Sequence, residues 1–118
     1  MLKTRILAGA IALAIGPMTL QTASASLDGD LHAVIARVLD AARNDTEALR
    51  NLSPADFRKF VACTQKIMDG AFTPDKRYII EGRNVSEERQ RFNEVASRPS
   101  IDRGPTMKQK IGSECYPG

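Results

Sequence analysis

The stretch from Ser53 to Gly70, SPADFRKFVACTQKIMDG, holds every signal of one amphipathic helix. Ser53 can cap free backbone N–H groups, and Pro54 suits the first helical position, where its missing N–H costs nothing. Asp56 supplies a short version of the capping-box carboxylate. A buried stripe then recurs at Phe57, Phe60, Val61, Thr64, Ile67 and Met68, the three-four spacing of one helix face, and Gly70 provides the stop. The spacing predicts a helix over 54–69. Cys63 lies three residues after Phe60 and four before Ile67, beside the stripe.

The same periodicity appears upstream at Leu31, Val34, Ile35, Val38, Leu39 and Ala42. Asp28 and Asp30 precede it, where short acidic side chains can cap and can face the positive end of the helix dipole, so a helix is expected to start near Asp30. Thr46 to Leu52 is either a continuation of that helix or a separate turn.

Downstream, Thr73-Pro74-Asp75 repeats the cap-then-proline signal before Tyr78, Ile79 and Ile80. A short helix ending at Gly82 is preferred there over a strand, because an isolated strand would find no partner in this chain. Asn84-Val85-Ser86-Glu87 opens a further helix with Phe92, Val95 and Ala96 inside, and Pro99 ends it. Ser97 to Pro105 reads as a loop. Met107, Ile111 and Cys115 then recur at four-residue spacing, which places Cys115 toward the core if the segment is helical. The expected fold is all-α, a small bundle of about four to five short helices.

The chain has two cysteines, Cys63 and Cys115, so one disulfide has only one connectivity. A redox pair would want the thiols close, as in Cys-x-x-Cys. In the chain-entropy model, closing a loop of roughly 50 residues stabilises a fold by about 4 kcal/mol, a large share for a small domain.

The amino terminus explains why a disulfide is expected. Lys3 and Arg5 precede an apolar run from Ile6 to Ile15, Gly16-Pro17 breaks it, and Ala23-Ser24-Ala25 puts small residues where a signal peptidase needs them. Residues 1–25 are read as a signal peptide, and 26–118 as a single helical domain. The interrupted apolar stretch falls short of the roughly 20 residues that span a bilayer, so no stable membrane anchor is expected after cleavage. The product is expected to be exported, to the periplasm if the source is bacterial, as the style of the signal suggests, or otherwise secreted.

The whole chain carries a net charge of +3, and the exported part, which loses Lys3 and Arg5, carries +1. A nearly neutral domain has no field to draw it to nucleic acid, and no nucleic-acid partner is expected. Neither a nucleophile elbow, nor a zinc-protease pair, nor a glycine-rich phosphate loop occurs. With both cysteines in a disulfide no zinc set remains, so no metal, cofactor or catalytic residue is assigned. His32 is the only histidine; with Asp28 and Asp30 it could form a small site if that segment were extended, but helix capping explains the aspartates without one. Asn44, Asn51 and Asn84 each begin an Asn-x-Ser/Thr triplet, a pattern that capping at helix starts also produces.

Tyr78, Ile79 and Ile80 are three bulky apolar residues in a row, and one core interface cannot easily cover all three. With Phe72 they form the candidate binding surface, unless the segment carrying Ile111 folds over them. The leading expectation is a small exported noncatalytic protein-binding domain, whose partner is another protein. In overall organisation it resembles the small acid-stress periplasmic chaperones, which are also short, exported, helical and closed by one disulfide. Two alternatives remain: an exported inhibitor or immunity protein for a cell-wall-degrading enzyme, and a small enzyme or ligand carrier using His32.

Overall fold

The computed structural model describes residues 27–117. The signal peptide expected over residues 1–25 and its expected cleavage before Ser26 lie outside the described residues. Among the described residues the protein is helical without strands: α1 (residues 27–42), α2 (Glu47–Arg50), α3 (Pro54–Met68), α4 (Thr73–Ile80), α5 (Val85–Ala96) and α6 (Met107–Lys110), which runs on into a π turn (Ile111–Cys115). The helical bundle expected from sequence is present, with six helices rather than four or five. The excess comes from α2, a single turn set apart from α1 by the turn at 43–45, and from the short α6.

α1 supplies the centre of the core. Leu31 and Ile35 are fully buried, and Val34 and Val38 nearly so, as their spacing requires. Each such side chain contributes about 1.5–3 kcal/mol relative to exposure. Phe57, Phe60, Thr64 and Met68 of α3 face the same core, and the Thr64 hydroxyl is satisfied by donating to the Phe60 carbonyl at 2.8 Å. Side-chain ties then fix α1 against three helices: Gln65 of α3 donates to the His32 carbonyl, Lys76 of α4 pairs with Asp28, and Arg37 pairs with the buried Glu88 of α5 at 3.2 Å. α1 is already helical at residue 27, so Asp28 and Asp30 lie inside the helix rather than before it.

The caps follow the sequence closely. Ser53 accepts from the Asp56 N–H at 3.1 Å, and Asn84 from the Glu87 N–H at 2.9 Å. At α4 the cap position falls on Phe72 and not on Thr73, so Pro74 sits second in the helix, and the cap makes no side-chain bond because phenylalanine carries no acceptor. Gly82 matters for space: a Cβ there would lie 2.9 Å from the Glu88 backbone nitrogen. That close approach lets α4 and α5 meet directly.

Cys63 and Cys115 are joined, with their Cα atoms 5.4 Å apart across 52 residues of sequence. The bond ties α3 to the π turn, where Ile111 and Cys115 are both buried. No helix among the described residues is long and apolar enough to cross a membrane.

Candidate protein-binding cleft

The triplet at Tyr78 to Ile80 is divided by the fold. Ile79 is fully buried, while Tyr78 and Ile80 are half-buried against the edge of the core. α5 packs along α4 and covers the triplet's tyrosine. The Arg91 guanidinium lies 4.6 Å from the Tyr78 ring centroid, and the phenol donates to Glu94 at 2.8 Å, which pushes its pKa up. The segment carrying Ile111 packs instead on α3. Of the four residues proposed from sequence, Phe72 alone stays well exposed, at 64%.

Phe72 has a companion that the sequence reading passed over. Among the described residues the exposed large hydrophobic side chains are Phe72 and Ile101, the latter 86% exposed, and both line the same cleft of about 420 Å³. That volume falls within the range of ordinary ligand pockets. The fully buried Val95 and Met107 of α6 also line it. The signal available in sequence was an isoleucine alone among Ser, Pro, Asp, Arg and Gly in a loop, where nothing in the local pattern calls for an apolar residue.

Ile101 is held out by a braced turn. Arg103 N–H donates to the Ser100 carbonyl at 3.1 Å, the Ser100 hydroxyl to the Gly104 carbonyl at 2.7 Å, and Gly104 N–H to the Asp102 carboxylate at 2.9 Å. Arg103 adopts φ 62°, a left-handed conformation that costs a non-glycine residue on the order of 1 kcal/mol or more. The Gly104 N–H holds the Asp102 carboxyl below its ordinary pKa, and nearby Lys110 adds to this. The same Gly104 N–H bond to the Asp102 carboxylate braces the turn.

The rim of the cleft carries charges of both signs. Arg98, just after α5, is hydrogen-bonded to Asp75 of α4, and Asp102 of the loop feels the charge of Lys110 of α6; all four line the cleft. A second cleft of about 460 Å³ adjoins the first along Gly70, Met107 and Lys110, and Cys63 and Lys66 form part of its wall. One side of both clefts thus belongs to the segment that the disulfide secures.

The histidine has a different role in the fold. His32 Nε2 lies 2.8 Å from Asp69 Oδ1, joining α1 to the end of α3, while Asp28 is taken by Lys76. Because the segment is helical, the extended arrangement of Asp28, Asp30 and His32 does not arise. Among the described residues no group of three or more His, Cys, Asp or Glu side chains is placed to hold a metal. The three glycosylation-like triplets coincide with helix starts: Thr46, Ser53 and Asn84 are the cap residues of α2, α3 and α5.

Comparison of the chain with protein-family models, with curated proteins and with solved structures finds no match.

Proposed function

We propose that this is a small exported, noncatalytic protein-binding domain, and that the cleft between Phe72 and Ile101 is its binding surface. The observation that carries this reading is the convergence on one cleft of both large hydrophobic residues that are exposed among the described residues, the other large apolar side chains there being buried or half-buried. Exposed apolar surface of this kind tends to mark interaction sites. The disulfide supports an oxidising compartment, since such bonds persist outside the reducing cytosol. With mixed charge on its rim and an apolar base, the cleft suits an uncharged apolar segment of another chain better than a highly charged one.

A permanently unfolded protein, reduced and alkylated, serves as the probe. The wild-type domain should bind it and slow its aggregation, and a variant carrying both Phe72→Ser and Ile101→Ser should lose this with little change in melting temperature. A variant that binds as well as wild type would remove the cleft from the function. Intact-mass measurement on exported protein tests the compartment, with Ser26 expected as the first residue.

The inhibitor reading is favoured by the braced turn, because a rigid loop presenting one apolar residue is suited to filling a partner's pocket. Pull-down from a periplasmic extract separates the two readings: an inhibitor retains one partner in stoichiometric amount, a chaperone many.

A further inference from the structure

We propose that the bond between Cys63 and Cys115 is a thiol–disulfide exchange site, which a dithiol opens by attacking the Cys63 sulfur, and that its opening frees residues 106–117 from α3. The lining that this segment gives to both clefts goes with it. The proposal stands apart from the reading of the first cleft as a protein-binding surface.

The first ground is that the two ends of the bond are unequally placed. Cys115 is 7% exposed, whereas Cys63 is half-buried and lines the second cleft, to which Cys115 does not contribute. Which sulfur a thiolate attacks depends on access, and here the cleft gives access to Cys63. Lys66, three residues after Cys63 on α3, and Lys110 of α6 line the same cleft with Glu114. Two cations against one anion favour the approach of an anionic thiolate.

In the step itself the thiolate bonds to the Cys63 sulfur, the bond between Cys63 and Cys115 breaks, and Cys115 leaves as a thiolate that takes a proton from water. The second thiol of the reagent then displaces Cys63 and closes the reagent's own disulfide. Two electrons pass from the dithiol to the protein, which ends with two thiols. In an exported protein the donor class is an enzyme carrying a Cys-x-x-Cys dithiol. Cys63 and Cys115, 52 residues apart, are the recipients of such an exchange and not its donors.

What the bond holds is the second ground. Gly70, Met107 and Lys110 line both clefts, and the last two sit on the segment that the bond ties to α3. Besides Cys115, that segment buries Ile111, half-buries Met107 and Tyr116, and reaches the Ala48 carbonyl through the Tyr116 hydroxyl. The stripes of α1 and α3 are buried along their whole length. Reduction therefore loosens the segment and leaves the helical frame standing, as a local opening below the global one.

The test starts from the whole oxidised protein without denaturant. It is mixed with glutathione and quenched with iodoacetamide, and digestion with mass spectrometry locates both labels. Glutathione should be found on Cys63 and the alkyl group on Cys115, at least tenfold over the reverse. Reduction by dithiothreitol should proceed at a rate that low urea leaves unchanged, because attack on the folded protein needs no unfolding. In the reduced protein, hydrogen exchange should rise over 107–117 while α1 and α3 stay as protected as in the oxidised form. Glutathione found on Cys115 overturns the proposal, as does a reduction rate that climbs with urea in step with global unfolding. Protection that is kept over 107–117 after reduction, or lost in α1 and α3 as well, overturns it too.

Discussion

The helical frame from residue 27 to residue 96 and the segment from 97 to 117 are held by different forces. In the frame, α1 and α3 bury whole stripes: Leu31, Ile35, Thr64 and Met68 have no exposed surface. In the later segment Ile111 and Cys115, both in the π turn, are the buried residues, and Met107 and Tyr116 pack half-buried against the core. What secures that segment is the covalent bond to Cys63, the Tyr116 hydroxyl donating to the Ala48 carbonyl at 2.9 Å, and an edge-on contact between Tyr116 and Phe60. A long amphipathic helix fixes itself through repetition of its apolar residues. A short segment with few of them has to be tied, and here the tied segment forms one side of the cleft.

The largest effect should come from cutting the tie. Replacing both Cys63 and Cys115 by Ser should destabilise the protein by about 4 kcal/mol in the chain-entropy model. Denaturant unfolding measures that loss, and hydrogen exchange should rise first over 107–117. Exchange rising evenly across α1 and α3 would mean that the two regions are one cooperative unit.

A pair of isoleucines sharpens the same contrast. Ile79→Ser opens a cavity in the frame and buries a hydroxyl, and should cost about 3 kcal/mol. Ile101→Ser should change stability by no more than about 0.5 kcal/mol, as for other exposed positions. Thermal unfolding of the two variants decides it, and equal losses would place Ile101 in the core.

Gly82→Ala tests how closely α4 and α5 meet. The added methyl lies against the Glu88 backbone, which cannot turn aside as a side chain could, so the variant should lose about 1–3 kcal/mol. Unchanged stability would show that the frame yields at this joint.

The smallest effect is electrostatic. Two hydrogen bonds from Arg89, each 2.8 Å, hold the Asp45 carboxyl down at about 2 and tie the turn after α1 to α5. A lowered pKa means that the folded state binds this proton less tightly than the unfolded chain does. The stabilisation is therefore present above the ordinary value of 3.8 and is lost as pH falls through about 2. Asp45→Asn should be slightly less stable than wild type at pH 5, with the gap closing toward pH 2, as followed by acid-dependent melting. A gap that persists at pH 2 would assign the loss to packing.

Sequence by itself determined the all-helical class, the positions of the longer helices and the pairing of the two cysteines. Local rules suffice for these: a cap at Ser53, a cap at Asn84 or Ser86 of which the structure uses Asn84, prolines at helix starts, three-four stripes in α1 and α3, and two cysteines with one way to pair. The same rules erred by a residue or more where local signals compete, as at Phe72 and Thr73. They also said nothing of the capping box between Thr106 and Gln109, or of the π turn that follows. Only the tertiary structure decided which part of the Tyr78 to Ile80 triplet is core, because α5 lies along α4 and brings Arg91 and Glu94 over Tyr78. It alone brought Phe72 and Ile101 together. They stand 29 residues apart in the chain, and a cleft between them exists only once α5 has returned the chain past α4 and the disulfide has placed Met107 at its side.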